Sequence, residues 1–71
     1  MPLIFAPVER ALKVIKIMAD DKTKKHLENL GITINSELQI LNSGSSVIVL
    51  IKATRLALDS GLASKIFVVQ A

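Results

Sequence analysis

The chain has 71 residues, a net charge of +3 and 51% hydrophobic residues, with no Cys, Trp or Tyr. That length holds one domain, and the missing cysteine removes disulfide staples, thiolate zinc sites and thiol nucleophiles together. The basic residues are scattered from Arg10 to Lys65, and Phe5 and Phe67 are the sole aromatics; a nucleic-acid footprint concentrates charge on one face, and single-strand binders add stacking aromatics.

The first seven residues, Met1 to Pro7, are apolar but too short for a signal peptide and lack a basic start. The longest apolar run, Val47–Ile51, is far below the roughly 20 residues a membrane helix needs, so a soluble cytoplasmic protein is expected. Leu12–Ile17 reads as a first strand with broken alternation. Leu12 and Val14 share a face, Lys16 then falls on it, and one extra residue would restore the register, as a β-bulge does. The stretch from Asp20 to Ile32 reads as a helix over about Asp21–Leu30. Asp20 or Asp21 can cap it, Thr23, Leu27 and Leu30 form one stripe, and Gly31 suits a left-handed ending in which Ile32 returns to Leu27.

Thr33–Ser36 reads as a turn with Asn35 at positive φ. Glu37–Ile40 alternates as a strand with Leu38 and Ile40 facing in. The five residues Asn42–Ser46 read as a flexible hairpin loop, and Val47–Lys52 as a β-branched strand. A tight change of direction at Ala53–Thr54 leads to a short strand, Arg55–Leu58. Asp59–Ser64 reads as one capped helical turn and Ile66–Val69 as the closing strand. Five short strands and one helix predict a mainly β fold: a small, partly open barrel, with the helix after the first strand and a helical turn before the last.

This order of elements resembles the FeoA family over nearly the whole chain, from Leu3 to about Val68. The strongest piece is His26-Leu27-Glu28-Asn29-Leu30-Gly31-Ile32, similar to the family's helix ending in Leu-x-x-Leu-Gly plus an aliphatic residue. Asn35–Ile40 is similar to its turn and alternating strand. Arg55–Leu58, Ala63, Ile66 and Val68 are similar to its closing segment. Two positions depart: the family commonly carries glycine where this chain has Glu9 and Asn35. Asn35 tolerates the same positive φ, whereas Glu9 points to a looser or differently shaped turn before the first strand. The resemblance implies an SH3-like β-barrel and a non-catalytic accessory protein of ferrous iron uptake. Its partner would be the FeoB-type transporter, a membrane protein with a GTP-binding domain, met on its cytoplasmic side. The alternative it implies is an SH3-like regulatory domain of the iron-dependent repressor type.

The residues themselves offer no catalytic, cofactor-binding or metal site. His26 is the single histidine, and Asp20, Asp21 and Glu28 near it lack the spacing that makes a helical ligand pair. Ser43, Ser45 and Ser46 lie in a loop without a base to activate them, and no Gly-rich phosphate loop occurs. Two features remain as partner-binding candidates. Lys22, Lys24 and Lys25 form a basic cluster on the helix, either a solvated face balanced by Asp20, Asp21 and Glu28 or a dock for an acidic surface. Ile48 and Leu50 in one strand, and Phe67 and Val69 in another, face away from a barrel that has one inside. They are either covered, by Leu3, Phe5, Leu27 and Leu30, or exposed as a docking face. The fold is expected to be monomeric or weakly self-associating.

Overall fold

In a computed structural model describing residues 1–71, strand β1 (Leu12–Ile17) carries the bulge its broken alternation predicts. Val14 pairs with Val68 and Lys16 with Phe67, so Ile15 is the extra residue. The bulge keeps Leu12 and Val14 in the core, sends Ile15 and Lys16 outward, and lets Ile17 turn back against the core.

Helix α1 (Asp21–Asn29) follows, and both of its ends are made by the residues expected. The Asp20 carboxylate accepts a 2.8 Å bond from the Thr23 amide, satisfying one of the free donors of the first turn. Gly31 takes φ 93°. Its amide donates to Glu28 at 2.9 Å, and the Ile32 amide to Leu27 at 2.9 Å, the two bonds of a Schellman ending. Leu27 and Ile32 are fully buried, so helix end and core contact are one device.

Strands β2 (Glu37–Ser43), β3 (Ser46–Ile51), β4 (Thr54–Asp59) and β5 (Ile66–Gln70) complete an antiparallel five-stranded sheet of order β4-β3-β2-β1-β5. Strand β2 pairs with β1 through Glu37 and Leu38 and with β3 from Gln39 onward, so it is shared by both halves of the barrel. The hairpin tip is shorter than expected. Asn42 and Ser43 pair with Ile48 and Val47, leaving Gly44 and Ser45 alone outside the strands; ladder hydrogen bonds form whatever the polarity of the side chains. Between β3 and β4 the turn sits one residue early, at Lys52 (φ 50°) and Ala53 (φ 66°), two positive φ values that mark a type I′ hairpin. Helix α2 (Ser60–Ala63) is capped by Asp59, which accepts from the Leu62 amide at 2.7 Å.

Fifteen residues are buried, all of them hydrophobic. A 3-10 turn over Leu3–Phe5 sends Leu3 into this core beside α2 and β5. Phe5, one of the four residues named as cover for the outer sheet face should that face be covered, is itself 74% exposed. The turn before β1 is not loosened by Glu9. Glu9 itself takes φ 59°, the conformation glycine favours, and its amide bonds the Ile40 carbonyl at 2.8 Å. The outer edge of β5 is closed by the N-terminal residues. The Met1 ammonium donates to the Val68 carbonyl at 3.0 Å, the Val68 amide returns a 2.8 Å bond to Met1, and Pro2 bridges Phe67.

Candidate functional site

The seven residues singled out from the sequence fall on three surfaces. Lys22, Lys24 and Lys25 are all exposed along α1. Ile48 and Leu50 are half-buried on the outer side of β3, the first between Asn42 and Ala57, the second between Gln39 and Arg55. Phe67 is half-buried opposite Lys16, and Val69, 40% exposed, lies opposite Lys13. Strands β2 and β1 separate the β3 pair from the β5 pair, so the four apolar residues do not form one patch.

What the fold does assemble lies beside α1. The turn after the helix is strapped to β1 by two backbone bonds, Asn35 amide to Val14 carbonyl at 2.7 Å and Val14 amide to Ser36 carbonyl at 2.9 Å. Asn35, at φ 73°, provides the reversal this requires. The Ser36 hydroxyl donates to the Gly31 carbonyl at 3.2 Å, and the Thr33 amide donates to that hydroxyl oxygen at 3.0 Å. Helix end, turn and strand are thereby locked together, and Ile34 is delivered next to Ile17, seventeen positions away in sequence order. Ile17, Ile32 and Ile34 form the apolar floor of an open groove whose polar lining is Lys24, Glu28 and Thr33.

The groove continues past Ile17 and Lys24 to Lys16, Met18, Asp20 and Lys65. Ile34 is 49% and Met18 54% exposed, large apolar side chains that pay a hydration penalty unless something covers them. The surface is mixed: Lys16, Lys24 and Lys65 against Asp20 and Glu28. Hydrogen bonding from Thr23 holds the Asp20 carboxyl below the ordinary carboxylate range, with Lys65 adding attraction. Because Lys16 stands opposite Phe67, the β5 pair adjoins this surface and the β3 pair does not.

Ile17, Met18 and Ile34 were missed in the sequence. The bulge was the available signal, since it is what brings Ile17 off the outer face.

His26 lies on the other side of α1, in a polar depression with Lys22, Thr23, Asp59 and Lys65. Nowhere do three His, Asp or Glu side chains converge as metal ligands. No helix is long and apolar enough to cross a membrane.

A family model described as the FeoA domain matches residues 1–70. The fold is shared with a crystal structure of an iron uptake regulatory protein, FeoA, at 24% identity and TM-score 0.91, covering 100% of this chain and 96% of that one. It is shared with the solution structure of the FeoA protein from Chlorobium tepidum at 20% identity and TM-score 0.88, covering 99% and 70%. A manganese-dependent transcriptional repressor contains the same fold at 24% identity and TM-score 0.90; all of this chain corresponds to 41% of that repressor. No curated protein matches the chain.

Proposed function

The chain belongs to the FeoA domain family, and on that premise we propose that it is a non-catalytic accessory protein of ferrous iron uptake. It docks on the cytoplasmic side of the FeoB-type transporter and alters that transporter's assembly or gating. Iron is the cargo of the system and is assigned no site on this chain. The observation that carries the docking reading is the groove beside α1, where Ile34 and Met18 are half-exposed beside the partly buried Ile17 and Lys16, Lys24 and Lys65 stand around them. Such a combination suits a partner that offers apolar side chains beside acidic ones, with the lysines aiding encounter and the apolar floor holding the complex. Lys25, Phe67 and Val69 extend this surface; Lys22 lies with His26 on the other side of α1, and Ile48 and Leu50 make a second, separate surface.

A second reading is supported by the likeness to the manganese-dependent repressor: a regulatory domain working beside a DNA-binding domain. One experiment separates the two. Tagged protein is incubated with detergent-solubilised membranes carrying the FeoB-type transporter, and with purified iron- or manganese-dependent repressor lacking its own SH3-like domain. Retention of the transporter alone supports uptake. Retention of the repressor alone overturns it in favour of regulation.

A further inference from the structure

We infer that the free edge of β4 pairs antiparallel with the same edge of a second copy of this chain, about a two-fold axis at Ala57. The two edges of the sheet are treated differently. That of β5 is occupied by Met1 and Pro2, whereas that of β4 has no strand beside it. Ile51 and Thr54 close a two-residue hairpin, so Thr54, Leu56 and Leu58 bond to β3 and the alternate residues Arg55, Ala57 and Asp59 aim their N–H and C=O groups outward. None of these three makes a backbone bond outside the ladder, and all three are exposed. The segment has no proline, lysine or bulge to blunt the edge, and its two charges, Arg55 and Asp59, are opposite in sign.

The register selects the partner. Leu58 is buried and Leu56 half-buried, and a one-residue slip would turn these leucines to the wrong face, so an axis must pass through a residue. On Leu56 the pairing sets Arg55 against Ala57, and on Leu58 it sets Ala57 against Asp59. Only the axis on Ala57 places Arg55 opposite Asp59 of the second copy, twice by symmetry, with Leu56 beside Leu58 and the small Ala57 facing itself. All three outward residues then exchange both their hydrogen bonds. Asp59 already gives Oδ1 to the Leu62 amide, which leaves Oδ2 for the arginine. The net charge of +3 opposes association of two copies, but the paired segment itself is neutral.

The test uses the absence of cysteine. Ala57→Cys places a thiol on the axis, where residues of a hydrogen-bonded pair stand about 5.5 Å apart at Cα, within disulfide range. In Arg55→Cys the two thiols are four residues out of register, roughly 13 Å apart. Mild oxidation should link the Ala57→Cys protein at least about tenfold faster than Arg55→Cys, the distance putting the latter outside that range. Sedimentation of the unaltered chain from micromolar to millimolar should show a reversible dimer. Arg55→Asp and Asp59→Arg should each be monomeric, and mixing them should restore a heterodimer, since both cross-strand pairs are then opposite in charge. Equal cross-linking of the two cysteine variants, or a chain that stays monomeric throughout, overturns the proposal. Melting curves identify any variant that fails to fold, and the cysteine comparison stands without touching the Asp59 cap.

Discussion

Strand β3 puts aliphatic side chains on both of its faces, and the two faces meet opposite fates. Val47, Val49 and Ile51 are 1%, 0% and 3% exposed, clustered with Leu38, Ile40 and Leu58 in a core without a polar side chain. Ile48 and Leu50, one residue along, lie among Asn42, Gln39, Ala57 and Arg55. Beside α1 the contrast is sharper, because fully buried Ile32 and half-exposed Ile34 line the same groove. Aliphatic content therefore does not distinguish core from surface in this chain; what distinguishes them is whether a second layer of the fold lies over each side chain.

Substitutions on the two faces should differ widely in their cost to stability. Leu38→Ala and Ile66→Ala remove fully enclosed side chains and should each cost about 2–5 kcal/mol. A domain of this size has only about 4–11 kcal/mol to lose, at 0.05–0.15 kcal/mol per residue. Leu50→Ser and Ile34→Ser should shift stability by less than about 1 kcal/mol, since neither opens a sealed cavity. Denaturant melts of the four variants decide it. If Leu50→Ser unfolds like Leu38→Ala, the outer face of β3 is covered core.

Backbone conformation gives the next largest effects, of opposite sign. Gly31→Ala should cost about 1 kcal/mol, because φ 93° penalises any Cβ although the space around it is open. Ala53→Gly should stabilise by roughly 0.5–1 kcal/mol, relieving a left-handed alanine in the β3–β4 turn. Melting temperatures that move the other way at either position would contradict the turn assignments.

The smallest effect is a pH dependence. Thr23 holds the Asp20 carboxyl below its ordinary range, so its folded pKa lies under the unfolded one. Its contribution to α1 is then present at neutral pH and lost as pH falls below the ordinary carboxylate range. Asp20→Asn keeps a capping oxygen without the titration. Helical ellipticity measured down an acid titration should fall less steeply in that variant.

Elements whose signal is local were legible in the sequence. Asp20, Leu27, Gly31 and Ile32 specify the helix and both ends within a dozen residues, and the misplaced Lys16 announces the bulge in β1. The hairpin tip was misjudged because Asn42 and Ser43 read as loop by propensity, while the β2–β3 ladder, shifted after Ile40, carries them as strand. Glu9 and Lys52 hold positive φ without the residue types that advertise it. The groove was legible only in part. Lys24 stood out as charge, but Ile34 reaches Ile17 through the bonds of Asn35 and Ser36 to Val14, a tertiary fact with no trace in either segment alone.

On the proposed function, the surface beside α1 binds the transporter and is dispensable for folding. Its most direct test is the affinity of the purified chain for the FeoB-type transporter in detergent, measured for the unaltered protein, Ile34→Asp and Lys24→Glu, with a melting curve for each. Melting should stay near-unchanged in both, and binding should weaken at least about tenfold for Ile34→Asp, the loss of an anchor costing 2 kcal/mol or more, with a smaller, salt-dependent loss for Lys24→Glu. Full affinity in both variants, with folding intact, would contradict it.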